Sequence, residues 1–237
     1  MISSVQLNPN RYALALHTTS ADLGLALSNF ADAPRCQTWD LGRDVSNYLH
    51  LYLAKFLQPQ SWTDLDFLAV ANGPGGFTST RLGVVTARTL AQQLDLPLFA
   101  ISTLAAVAWA EYRAGRIPIA AYEAHALDSA NSCDIAVYMP AHRGELHGAI
   151  YRIAALHPHA DTDPTVTLVT CLGDAVWTPD QWQQTLTDWP RPCQQVQAMS
   201  HLGHTAFALL ELAYHQWQRG QRPHWSEVLP IYGQSPV

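Results

Sequence analysis

Apolar and polar positions alternate in short blocks at the start of the chain. Tyr12 to His17 (Y-A-L-A-L-H) and Leu23 to Leu27 (L-G-L-A-L) flank the polar Thr18-Thr19-Ser20-Ala21-Asp22, which predicts two buried strands joined as a hairpin. Cys36 to Leu41 continues the meander as a third strand. From Asp44 the period changes: Val45, Leu49, Leu53 and Phe56/Leu57 recur at helical spacing, Asp44 stands as N-cap, and Gln58-Pro59-Gln60 ends the helix. Phe67 to Ala71 (F-L-A-V-A) is unbroken apolar sequence, as a strand buried on both faces requires. It runs into Asn72-Gly73-Pro74-Gly75-Gly76-Phe77-Thr78, after which Ser79 to Leu94 has helical period. Pro97 to Ile101 predicts another strand, and Ser102 caps a helix from Thr103 to about Tyr112. A meander followed by strands alternating with helices predicts a mixed α/β layer architecture.

Beyond Gly115 the pattern weakens. Ile135 to Tyr138 and Leu146 to Ile153 predict a hairpin closed through Pro140 to Glu145, and His157 to Asp163 reads as a polar loop. Val166 to Val169 predicts a short strand, and Pro179 suits the first position of a helix. Met199 to Arg219 is the longest helical pattern of this half, stopped by Gly220. The tail ends in Val228-Leu229-Pro230-Ile231-Tyr232.

Composition narrows the function classes. The 237 residues, 48% hydrophobic and 14% charged, can build a core without disulfides or metal. Thirteen basic against nineteen acidic residues leave a net charge of −6, with Lys55 the only lysine and the arginines scattered. Single-handed nucleic-acid binding needs a concentrated positive surface and is therefore not expected. No run of about 18 apolar residues occurs, and Met1 to Asn10 has neither the basic nor the apolar part of a signal peptide, so the expected location is cytoplasmic. Cys36, Cys133, Cys171 and Cys193 lie far apart, which reads as reduced, mostly buried thiols. Of eleven histidines, the close pairs His157/His159 and His201/His204 have no carboxylate or cysteine at ligand spacing, so no metal and no cofactor are expected.

The stretch Gly73-Pro74-Gly75-Gly76-Phe77-Thr78-Ser79-Thr80-Arg81-Leu82-Gly83 joins a strand to a helix. Glycines there let another group approach the helix start closely. One reading is an anion or nucleotide site; the other, favoured on chemistry, is a tight turn packed against a neighbour. The spacing is neither G-x-x-x-x-G-K-[ST] nor G-x-G-x-x-G, and no lysine follows.

With the flanking T-T-S turn, F-L-A-V-A and P-L-F-A-I-S-T-L, this stretch resembles the TsaB family, bacterial proteins needed to make threonylcarbamoyladenosine in tRNA beside the anticodon. The family pattern G-P-G-S-F-T-G-L-R-I-G is matched by Gly73, Pro74, Gly75, Phe77, Thr78, Arg81 and Gly83. Ser61 to Asp66 resembles the family's S-x-x-D-L-D, His142-Arg143-Gly144-Glu145 falls at its D-A-R-x-G-E-V-Y hairpin, and Leu229-Pro230-Ile231-Tyr232 resembles its P-V-Y-L-R. The resemblance is strong over residues 12 to 104 and thin from 113 to 225. It implies an actin-like ATPase (ASKHA) fold in two lobes, 1–112 with the glycine loop and partner-binding helices, and a smaller 113–237. It also implies a non-catalytic partner of a related catalytic subunit, TsaD, joined by the small ATPase TsaE. Contact with tRNA then comes only through the complex, and homodimers form when the partner is absent.

Residue chemistry points the same way. Active members of the wider fold carry an aspartate at the end of the first strand; here the position is His17, and a neutral imidazole brings no negative charge to Mg²⁺, which prefers oxygen ligands. His17 reads as a core histidine with one ring nitrogen satisfied by backbone. Both N-terminal helices carry a second apolar face: Tyr48, Leu51 and Tyr52 on the first, Leu82, Val85 and Thr89 on the second. Either these faces are sandwiched inside the chain or, as the resemblance implies, Tyr48, Leu51, Tyr52, Leu82 and Val85 meet a partner in a four-helix bundle. Departures from the family include Val45-Ser46 for H-S, Pro140-Ala141-His142 for D-A-R, Tyr232-Gly233-Gln234 for Y-L-R, and an apparent insertion over 116–132. The alternatives are a stand-alone ATPase or peptidase, for which neither H-E-x-x-H nor G-x-S-x-G is present, and a binding module outside tRNA modification.

Overall fold

The computed structural model describes residues 6–117, 133–156 and 165–231. Most of the apparent insertion and the polar loop at 157–163 lie outside the described residues. The chain groups into two compact units, one within Met1–Ala106 and Met199–Tyr232, the other within Val107–Ala198. This partition differs from a single division at residue 112, because the last long helix packs on the first sheet.

The first unit is built on a five-stranded sheet of order β3-β2-β1-β4-β5. Its strands are β1 (Tyr12–His17), β2 (Asp22–Ser28), β3 (Arg35–Asp40), β4 (Leu65–Ala71) and β5 (Leu98–Ile101). The first three form an antiparallel meander, and β4 and β5 run parallel to β1. Side-chain alternation explains why these strands read as unbroken apolar runs. Leu14, Leu16, Leu68, Val70 and Leu98 enter one core with Val45, Leu49 and Leu53 of α1 (Val45–Leu57) and Val84, Ala87 and Ala91 of α2 (Phe77–Leu94). Phe67, one residue out of phase with Leu68, points the other way and stacks 5.9 Å from Trp217 of the C-terminal helix α5 (Ala206–Gln218). Both faces of the sheet are therefore covered.

Several helix boundaries differ from expectation for local reasons. A 3-10 turn, Gly42–Asp44, already winds the chain before α1. Asp44 makes no capping bond to the helix backbone; its carboxylate instead accepts from the Asn47 side-chain amide at 3.2 Å. The second helix begins at Phe77 rather than Ser79, with the Thr80 amide donating to the Gly76 carbonyl at 2.9 Å. Helix α3 (Thr103–Arg113) has the expected cap: the Leu104 and Ala105 amides donate to Ser102 Oγ at 3.1 and 3.3 Å. Met199 to Leu202 is not helical; His201 sits at φ 69° and a 3-10 turn, Gly203–Thr205, leads into α5.

The second unit carries a four-stranded sheet of order β8-β7-β6-β9, from β6 (Asp134–Pro140), β7 (Leu146–Leu156), β8 (Thr165–Trp177) and β9 (Cys193–Gln197). Strands β6 and β7 form the expected hairpin. Strand β8 extends eight residues past Val169, over a largely half-buried stretch interrupted by Gly173 and Asp174 and held by pairing with β7 through an irregular register near Gly148–Tyr151. Strand β9, C-Q-Q-V-Q, has no apolar run at all and forms by parallel pairing with β6. Helix α4 (Pro179–Thr187) starts as expected, reinforced by a capping box between Thr178 and Gln181, and its Trp182 packs on Ala136 and Ile150. The thiols are free, but none is fully buried: Cys36 is exposed and the other three are half-buried. Burial nevertheless raises each thiol, Cys193 to about 12, so none is a ready thiolate.

The seat of α5 has a sharp steric requirement. A Cβ on Gly24 of β2 would lie 2.1 Å from the carbonyl oxygen of Gly203. Gly24→Ala is expected to cost about 3 kcal/mol or more, read as a lower urea midpoint with an unchanged slope, because backbone must move to admit the methyl.

Candidate functional site

The glycine loop wraps the Thr18-Thr19-Ser20 turn. The Gly76 amide donates to the Thr19 carbonyl at 2.8 Å, and Thr18 Oγ1 donates to the Ser79 carbonyl at 2.8 Å. A Cβ on Gly75 would stand 2.3 Å from the Thr19 carbonyl oxygen, and one on Gly83 2.1 Å from Thr18 Oγ1. On the far side, Thr103 Oγ1 donates to Thr19 Oγ1 at 3.0 Å and the Thr103 amide to the Gly73 carbonyl at 2.7 Å. The C-terminal tail closes the loop: the Ile231 amide donates to the Asn72 carbonyl at 2.7 Å, and Asn72 Nδ2 to the Leu229 carbonyl at 3.2 Å. Pro74 is buried in this packing, whereas Thr78 is exposed and Arg81 lays its guanidinium 5.1 Å from the Phe77 ring centre. Of the two readings of the glycines, this geometry carries the tight turn, since the missing side chains make room for protein rather than leaving a cradle.

His17 ends β1 directly opposite Gly24, on the sheet face that α5 covers. It is fully buried, and neither ring nitrogen has a hydrogen-bond partner. The expected backbone bond does not form, because the strand carbonyls point along the sheet to their ladder partners and not onto its face. Burial first, and the nearby His204 second, push this imidazole down to about 3. The side chain at this strand end is thus neutral and closed off from solvent.

Asp22 and Asp40 stand opposite one another in the β2–β3 register, and His201 Nδ1 meets Asp22 Oδ1 at 2.6 Å. Sequence spacing gave no carboxylate near His201; the partner comes from 179 positions away. The three side chains bring one ligand-type atom each within 4.8 Å. Two donors sharing one first-row metal would stand about 3 Å apart, given bonds near 2.1 Å. The 2.6 Å separation of His201 and Asp22 is that of a charge-assisted hydrogen bond.

Helices α1 and α2 lie against each other, and each turns an apolar stripe outward. Tyr48, Leu51, Val85 and Phe77 are 45%, 56%, 59% and 47% exposed. Phe77, Arg81 and Val85 follow one another every fourth residue along α2, so they share a face. Two of the expected surface residues are only half-buried contributors. Tyr52 tilts against Trp39 at 4.7 Å and Leu82 packs on the core, so both support the surface from below.

A family model described as "TsaD: tRNA N6-adenosine threonylcarbamoyltransferase" matches residues 53–136. The tRNA threonylcarbamoyladenosine biosynthesis protein TsaB of Bacillus subtilis (strain 168) is 49% identical over 45 residues, 19% of this chain and 20% of that protein. TsaB of Escherichia coli (strain K12) is 42% identical over 53 residues, 22% of this chain and 23% of that protein. The crystallised YeaZ from Pseudomonas aeruginosa, 21% identical, superposes with a TM-score of 0.68 over 93% of this chain and 100% of that one. The chain is similar to TsaB proteins over these segments. The curated TsaB relatives are matched over less than a third of their length, while the TsaB-like fold extends over nearly the whole chain. Among the described residues, no helix is long and apolar enough to cross a membrane.

The buried His17 gives the fold a definite acid response. Its folded pKa lies below the ordinary 6.5, so the unfolded chain binds the extra proton and stability falls as pH drops from 6.5 toward about 3. The contribution is about 1.4 kcal/mol per pH unit. His147 is lowered too, by burial first and then by His142, and acts in the same direction. Urea midpoints between pH 7 and 5 are expected to fall less steeply in His17→Leu than in the unaltered protein, which isolates the His17 share.

Proposed function

We propose that this TsaB-like chain takes part in making threonylcarbamoyladenosine in tRNA as a non-catalytic subunit. In this reading it grips a TsaD-like transferase through α1 and α2, helps to recruit a TsaE-like ATPase, and meets tRNA only through that complex. The observation that carries the reading is the exposed apolar face of Tyr48, Leu51, Phe77 and Val85, backed by half-buried Tyr52 and Leu82. Large side chains on two adjoining helices leave apolar surface in water unless something covers it. A second copy covers the same face when no partner is present. The neutral, closed-off His17 supports a role without phosphate chemistry, since it supplies no charge for a metal-bound nucleotide.

Leu51→Glu and Val85→Glu are each expected to weaken binding to the TsaD-like subunit at least about 30-fold, roughly 2 kcal/mol. Being exposed, they should shift unfolding free energy by less than about 0.5 kcal/mol. Titration calorimetry against the TsaD counterpart and denaturation of the isolated variants measure the two effects. In cells depleted of their own TsaB, the unaltered chain should restore modified tRNA and the Leu51→Glu variant should not. Unchanged binding by both variants would remove α1 and α2 as the contact surface.

A further inference from the structure

We propose that His201 is a proton-operated latch, whose imidazolium holds the Met199–Gly203 segment against the facing carboxylates of Asp22 and Asp40. This segment is where the chain returns to the first unit and turns into α5. Asp22 and Asp40 are directly opposed across two antiparallel strands, and like charges so placed repel. His201 reaches over them with Nδ1 2.6 Å from Asp22 Oδ1, in a left-handed backbone conformation that few non-glycine residues adopt. The Gly203 amide lies 3.4 Å from the other Asp22 oxygen, a long contact that adds little.

The neighbours define what the proton does. Asp22 faces His201 from β2, Asp40 from β3, and on its own segment His204 Nδ1 approaches the His201 carbonyl at 3.0 Å. His17 of β1 lies on the same sheet face but is neutral throughout the working range. The hydrogen bond to Asp22, then the charges of Asp22 and Asp40, raise the His201 pKa above its ordinary 6.5 despite exposure. The latch is fully engaged below 6.5 and is lost as pH rises through the folded pKa. Neutral His201 can still donate from Nδ1 in one tautomer, but the positive charge between two carboxylates is gone. Release stays local, because buried Leu202 remains anchored through its amide to Ser20 Oγ at 2.9 Å and through its carbonyl to Thr205 Oγ1 at 2.8 Å.

The test uses the whole chain. An NMR titration of the His201 ring is expected to give a pKa above 6.5, and a value at or below it would overturn the latch. Hydrogen exchange of the Ser200, His201 and Gly203 amides, corrected for intrinsic rates, is expected to lose protection several-fold between pH 6 and pH 9, while the anchored Leu202 amide keeps its protection. His201→Gln, which replaces a half-exposed side chain, should show the low protection at both pH values. Protection that is the same at both pH values in the unaltered chain, or retained in His201→Gln, would equally overturn it. Raising salt at pH 6 should loosen the same amides, as expected for a solvent-exposed ion pair.

Discussion

The first unit depends on one close fit: the Thr18–Thr19 turn is enclosed by the glycine loop, the first turns of α2 and the start of α3. Two missing side chains, at Gly75 and Gly83, let the loop and helix approach within hydrogen-bonding distance of the turn. That contact fixes where α2 leaves the sheet and therefore which of its faces looks outward. With Val84, Ala87 and Ala91 committed to the core, the adjoining stripe of Arg81 and Val85, with Phe77 in the first turn, faces solvent. The glycine-rich sequence that resembles a phosphate cradle is in effect a socket for the chain's own threonines.

The exposed face rests on a stiff bed. Tyr48 meets Tyr52 edge-on at 6.4 Å, Tyr52 leans on Trp39, Trp39 meets Phe56 at 6.1 Å, and Arg35 caps Phe56 at 5.1 Å. This aromatic row ties the outward side of α1 to strand β3. A surface whose side chains are already ordered loses less entropy on association, which favours tight contact from a modest area.

How much of this was legible in the sequence follows from how local each cause is. Strands β1, β2, β4 and β5 declared themselves because a sheet covered on both faces needs apolar residues at every position, and Ser102 and Pro179 declared their helices, one as a cap and the other as a first-turn proline. Strand β9 was invisible, since C-Q-Q-V-Q becomes a strand only beside β6. The helical period from Met199 misled because Met199 and Leu202 kept the spacing while His201 took a left-handed turn toward Asp22. The apolar stripes of α1 and α2 were readable, but not which members point outward: Tyr52 and Leu82 differ from Leu51 and Val85 only in what the fold places beside them. The pairing of His201 with Asp22 and the solitude of the His17 ring are long-range facts with no local signature.

The first unit is assembled from two stretches of chain that flank the second, with α5 supplied last. On a ribosome, the sheet is therefore made long before its second cover. The face holding Ala13, Ala15, Phe67 and Phe99 must wait while more than ninety intervening residues, from Val107 to Ala198, are synthesised. At roughly 5–20 residues per second, that delay runs to several seconds of uncovered apolar surface. A nascent chain of this design is a natural client for chaperones that shield half-built sheets, and truncation before α5 would leave it permanently in that state.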